Sequence, residues 1–390
     1  MAPLTGPIKE LDEKHEKKIV KFVSDIRNGK IEGSNNIALT TLALLEQIII
    51  ESENATALEL SSAIRGVGSR VVRALPQELV AANIVRRVLR AIRDEQRAQL
   101  EQLGAPGAGA EGASLQRLVL AAGARRGTMG AAQPDLREPL RDHIAEVRLE
   151  LESSARSIAG AARAHVHAAE LILTHGASRL AERFLRGARL HTHYRLLLAE
   201  GPDHTQSHAM ANRLASAGIP VTVINNAAVA GVMSRVNKVV MGVRAVLAGG
   251  ALLARAGSHA VSAAARHYSV PVRTHTRTHT HTHTLLARAG SHAVSAAARH
   301  YSVPVIALAP LYKLSPLHAC DHYHFNSLAG PHQALPYDRV ESGSCHVLAP
   351  RYDLVPPDHV TLFLTNLGGS SPSYIYRLLS ELYDPNDHQL

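Results

Sequence analysis

The hydrophobic period changes near residue 170, and that switch leaves few architectures open. Before it, apolar residues recur every three or four positions: Leu42, Leu45, Ile48 and Ile49 in Asn36–Glu51, then Ile84, Val85, Val88, Leu89 and Ile92 in Ala81–Gln99. Each set lies on one helix face, with Ser34 available to cap the first. After it come short apolar runs, Leu171–Leu173, Leu196–Leu198, Val221–Ile224 and Val239–Met241, separated by helical stretches such as Ala177–Leu190 and His208–Ala217. Short buried strands alternating with helices predict a parallel sheet covered on both faces. The expected fold is α/β: an N-terminal helical domain over 1–103, an Ala/Gly-rich linker over 104–137, and a Rossmann-like parallel-sheet domain over 138–390 that opens on a long helix.

Composition narrows the function. A chain of 390 residues with 46% hydrophobic side chains can bury two cores, and with 4% aromatics and no Trp those cores rest on Ala, Leu, Val and Ile. No run reaches the length of a membrane span, and the charged N-terminal stretch is no signal peptide. Cys320 and Cys345 lie far from any CxxC spacing, so a reducing, cytoplasmic setting is expected. The net charge of +9 comes from arginines scattered through Ala-rich helices, without a basic tail or an aromatic-interleaved stripe. No direct nucleic-acid partner, no membrane and no cofactor are expected.

Residues 252–272 (LLARAGSHAVSAAARHYSVPV) recur without change at 285–305, around the tract RTHTRTHTHTHT, Arg273–Thr284. Structural repeats drift and come in threes or more, so this pair reads as an insertion. Strand Val303–Ala309 is intact only after the second copy, whereas Val246–Gly250 is contiguous only with the first. The expectation is that the insertion, near 251–284, bulges out and the second copy packs as a helix, because loop closure grows only slowly with length. His275, His279, His281 and His283 alternate within the tract, yet no carboxylate or thiol anchors them, and no metal site is expected.

Three groups of residues are candidates for function. Arg86, Arg90 and Arg93, four and three apart, align along one side of a helix and suit an acidic or phosphorylated partner. At the C-terminus, Asn366, Gly368 and Gly369 supply a turn after the short strand Val360–Leu364. Pro372 then opens a helix bearing Tyr374, Tyr376 and Arg377, a docking tail rather than a catalytic element. Third, His175, Gly176, Ser178 and Arg179 follow the first strand and Asn225 and Asn226 follow a later one, at the strand ends where α/β folds bind ligands.

The tail Arg351–Leu390, the runs Val232–Gly242 (VMSRVNKVVMG) and Pro310–Pro316 (PLYKLSP), and the segments Arg27–Ser34 and Asn83–Arg90 together resemble the regulatory subunit family of the guanine-nucleotide exchange factor for translation initiation factor 2, in its beta type. The resemblance implies a helical domain before a Rossmann-like one, and a non-catalytic subunit that supports GDP release and senses phosphorylation of factor 2. Its implied partners are alpha-, gamma-, delta- and epsilon-type subunits and factor 2 itself. The family's other relatives are sugar-phosphate isomerases and homodimeric sugar-phosphate sensors, which makes these the alternative readings and His175–Arg179 with Asn225 and Asn226 a vestigial pocket. The isomerases carry a Cys after the first strand and an Asp after the strand matching Val239–Met241. Here Thr174–Arg179 has no Cys, and Arg244 stands in the Asp place. Arginine keeps its proton and cannot move one between sugar carbons.

Overall fold

The computed structural model describes residues 13–52, 56–102, 136–201, 203–269, 303–319, 325–330 and 349–390. It divides into two compact units, one comprising residues up to Glu152 together with Ser380–Leu390, the other Ser153–Leu379. The helical unit therefore also owns the last eleven residues, and the long helix expected to open the α/β domain contributes to both units. Most of the predicted linker lies outside the described residues, as does the short helix read at Ser114–Ala122.

In the helical unit, α1 (Glu13–Arg27), α2 (Ser34–Glu51), α3 (Ala57–Ala74) and α4 (Leu79–Gln102) precede α5 (Arg137–Gly160). Leu42, Leu45, Ile48 and Ile49 of α2 are fully buried, as are Ile84, Val85 and Ile92 of α4, so the 3.6-residue period marks the core face. Ser34 is not a cap: it is the first residue of α2, and Gly33 precedes it at φ 90°, a left-handed backbone that glycine tolerates. Helix α3 starts with a reciprocal box, the Thr56 side chain accepting from the Glu59 N–H while the Glu59 carboxylate accepts from the Thr56 N–H.

In the second unit, α6 (Ala162–His165), β1 (Leu171–His175), α7 (Arg179–Arg189), β2 (Arg195–Ala199), α8 (His204–Ser216), β3 (Val221–Ile224), α9 (Val229–Val232) and β4 (Lys238–Val246) follow in order. Then come β5 (Leu252–Arg255), α10 (Ser258–Ser269), β6 (Val305–Leu308), β7 (Tyr352–Val355), β8 (Leu362–Thr365), β9 (Gly368–Ser370) and α11 (Ile375–Leu382), the last of which straddles the unit boundary. The sheet runs β3-β2-β1-β4-β6-β8-β9, parallel from β3 to β8 with β9 antiparallel at the edge. One face packs Ile172, Leu196, Leu198, Val240, Ile306 and Leu308 against Phe184, Leu185, Met210 and Leu214 of α7 and α8. Leu173, Val239, Met241 and Phe363, on alternate positions, are buried too. Among the described residues no helix is long and apolar enough to cross a membrane.

The duplication folds differently from the expectation. The first copy packs: Leu252–Arg255 form β5, antiparallel to β4 and β7, and Ser258–Ser269 form α10 with Val261 and Ala265 buried. A tight turn explains the choice, with Leu247 N–H donating to Ala251 O and Gly250 N–H to Leu247 O. Only the copy that directly follows β4 can fold back on it this way. Strand β6 then takes Val305 from the end of the second copy, which supplies Val303–Val305. One composite repeat is thus built from 252–269 and 303–305; the rest of the second copy and the Thr/His tract, with His275–His283, lie outside the described residues.

Candidate functional site

In the second unit the strand order reverses at β1, which has β2 on one side and β4 on the other, the switch point at which open α/β sheets form a ligand crevice. β1 pairs with β2 over five positions but with β4 only at Ile172 and Leu173, so the two central strands part toward their C-terminal ends. Gly242 lets β4 pass the start of α7: a Cβ there would lie 2.1 Å from Ser178 Oγ. Ser178 caps α7, accepting from the Ala181 N–H at 3.3 Å, while Arg179, the first helical residue, is exposed.

His175 ends β1, buried at 3% exposure. Its Nδ1 shares a 3.1 Å hydrogen bond with Ser258 Oγ, while Nε2 is buried without a partner, as is Asn226 Oδ1. Gly257, at φ 99°, packs its backbone onto both: a Cβ would fall 2.4 Å from Asn226 Nδ2 and 2.6 Å from His175 Nε2. Burial, helped by the charge of Arg255, lowers His175 to about 4 and keeps the ring neutral. Asn225 instead caps the turn after β3, accepting from the Ala227 N–H. Gly176, at φ 60°, lies under the Arg255 side chain.

Around these residues stand three cations that sequence reasoning did not assemble. Lys313 is buried and donates to Val243 O at 2.7 Å; burial and the charges of Arg244 and Arg255 lower it to about 7. Arg255 is itself held below its ordinary value by burial, only partly offset by Tyr352 and Asp203. Arg244 lies within β4, not in a loop after it, with its guanidinium 5.5 Å from the Tyr352 ring centre. Lys313 sits inside the PLYKLSP run and Arg255 inside the duplicated segment. Neither run reveals by itself that the two meet. The arrangement can attract an anion; the nearby Asp353 carboxylate is taken by the N–H groups of Gly257 and His259, and His175 itself is hydrogen-bonded to Ser258 rather than to an acid.

The other two candidate groups divide. Arg86, Arg90 and Arg93 do share one side of α4, but the expected open face is taken by the chain's own C-terminus. Arg86 is 2% exposed and donates to Asp387 O and His388 O, Arg90 donates to Ser380 O, and Arg93 donates to the Asp387 carboxylate. Arg90 also pairs with Asp94, one helical turn on, at 3.4 Å. In the tail, β8 and β9 form a hairpin across Asn366 and Leu367. The Asn366 side chain accepts from the Leu311 N–H, Gly368 turns at φ 123°, and Gly369 pairs with Leu364. Leu367 in its turn and Tyr376 beyond it are 72% and 78% exposed, and Arg377 lies over the half-exposed Tyr374 ring.

The family model described as "Initiation factor 2 subunit family" matches residues 30–285 and 281–372, two segments that meet at the duplication. The chain is 31% identical to the eIF2B beta subunit of Schizosaccharomyces pombe over 95% of its own length and 96% of that protein's. The corresponding subunit of Dictyostelium discoideum is 30% identical over 94% and 95%. Among solved structures, the tetrameric eIF2B-beta2-delta2 complex from C. thermophilum matches at TM-score 0.64 and 24% identity, over 98% of this chain and all of that one, a likeness of fold.

Proposed function

The chain belongs to the initiation factor 2 subunit family, and we propose that it is the beta-type regulatory subunit of the exchange factor for translation initiation factor 2. In this reading it is a cytoplasmic, non-catalytic subunit that supports GDP release and the sensing of factor 2 phosphorylation. The observation that carries it is identity to a beta subunit sustained over 95% of the chain, both units included. The exposed hairpin and helix with Leu367, Tyr374, Tyr376 and Arg377 support a docking role toward a delta-type subunit, since aromatic and arginine side chains anchor interfaces. Alpha-, gamma- and epsilon-type subunits complete the assembly. The buried, neutral His175, hydrogen-bonded to Ser258 rather than to an acid, supports a subunit without proton-transfer chemistry.

The test is the native mass of the chain expressed alone and with delta- and epsilon-type partners. A stable hetero-complex that releases GDP from factor 2 faster than the complex lacking this chain bears the reading out. A soluble homodimer indifferent to those partners sinks it.

The cation-lined crevice favours a second reading, a retained sugar-phosphate pocket, because Lys313, Arg244 and Arg255 gather positive charge at the switch point. A sugar 1-phosphate that raises the melting temperature of the chain supports it; no shift at millimolar ligand removes it.

A further inference from the structure

The strongest feature outside the crevice is the way the helical unit holds the chain's own end. Residues Tyr383–Leu390 (YDPNDHQL) lie between α3 and α4, with Tyr383 and Asp387 essentially inaccessible to solvent. Asp387 Oδ1 accepts from Arg65 at 2.5 Å and from Arg93 at 2.6 Å, and Asp384 pairs with Arg93 at 3.0 Å. Arg86 reads the main chain, donating to the carbonyls of Asp387 and His388, with its remaining nitrogen on Asn83 Oδ1. The Leu390 methyls rest on Gly68, where a Cβ would lie 3.4 Å away. Asp384 fixes the local turn by accepting from the Asn386 N–H, and Pro385 follows it. This is the grammar of peptide recognition: carboxylates on guanidinium forks, carbonyls on a buried arginine, and an aliphatic side chain against a glycine.

We propose that this arginine groove is a receptor for an acidic peptide, and that Tyr383–Leu390 is its resident occupant, held as a releasable plug. The lining is what makes release feasible. An empty apolar groove would collapse or aggregate, whereas Arg65, Arg86 and Arg93 can take up water when the peptide leaves. The charge fits as well, since three arginines face two aspartates and leave room for a more acidic competitor. Arg93 is drawn above its ordinary value because Asp387 and Asp384 outweigh the effect of burial. The inference does not depend on the assignment as an exchange-factor subunit.

The test compares the full chain with its Asp384→Asn/Asp387→Asn variant by amide hydrogen exchange. In the variant, protection of 383–390 is expected to fall at least 100-fold while α2 and α4 stay within fivefold of the parent. If tail and helices lose protection together, the tail is core and the proposal fails; if neither loses it, the aspartates do not hold the tail and it fails equally. A labelled peptide YDPNDHQL is then expected to bind the variant at least tenfold tighter than the parent, whose groove is filled. Its binding should drop at least tenfold when both peptide aspartates become asparagine. Equal binding to variant and parent, binding to neither, or binding indifferent to the aspartates overturns the receptor.

Discussion

The groove of the helical unit and the crevice of the sheet unit both take cations out of water, and they compensate in opposite ways. In the groove, Arg86, Arg90 and Arg93 each donate to a carboxylate or a main-chain carbonyl of the C-terminal segment. In the crevice, Lys313 donates to the carbonyl of Val243, and its charged neighbours are two more cations. Arginine cannot shed its proton at ordinary pH, so its burial has to be matched by acceptors. Lysine can, and Lys313 falls to about 7. A cation matched by acceptors marks a contact already made. One surrounded by like charge is left uncompensated, at a cost in stability.

The largest effect expected from this contrast is at Arg86. Arg86→Met strands the carbonyls of Asp387 and His388 and should weaken the hold on residues 383–390 by about 3 kcal/mol, read as a loss of amide protection there that α2 does not share. Next is the pH response of the crevice. His175 takes up its proton near 6.5 when unfolded and only near 4 when folded. The unfolded chain therefore gains protons first as pH falls from 6.5 to 4, and stability drops across that window by up to about 3 kcal/mol. His175→Gln should flatten that part of the stability curve; an unchanged slope would show that the ring is not neutralised by burial.

Lys313→Met should act in the reverse sense to Arg86→Met, stabilising the sheet unit at pH 7 by about 1–2 kcal/mol once the desolvated charge is gone. The parent chain should also gain stability as pH rises from about 7 toward 10.5, because there the unfolded lysine keeps a proton that the folded one has lost. A destabilised methionine variant would mean that the bond to Val243 O outweighs the burial. The smallest effect on stability is expected at Tyr376, 78% exposed: Tyr376→Ala should stay within about 0.5 kcal/mol in the melt. It should nonetheless weaken capture of a delta-type partner, and undiminished capture would move the docking surface elsewhere.

Much of the fold was legible because period reports burial directly. The strands read at Leu171, Leu196, Val221 and Val239 all form, as do the helices at Ala177–Leu190 and His208–Ala217. The antiparallel β5 and β7 were missed because each needs the other: Leu252–Arg255 reads as the start of an Ala-rich helix until Tyr352–Val355 pairs with it. Arg244 falls after its strand in the sequence reading because the apolar run Val239–Met241 stops at Gly242. In fact that glycine makes room for Ser178 while β4 continues to Val246. Arg86–Arg93 was read as a surface because helical spacing aligns side chains without saying what lies against them.

The sequence by itself determined the helix-then-sheet order, the core faces and the family, since each depends on residues close together in the chain or on long matching runs. Only the tertiary structure decided that the first copy of the repeat packs as β5 and α10, that Arg255 brings Lys313 and His175 under one charge, and that the C-terminal aspartates fill the arginine row. Those outcomes join residues that no local period relates: Arg65 and Asp387 are 322 positions apart. Contacts at such separation are selected by the complementarity of whole surfaces, and a chain read one window at a time carries no record of them.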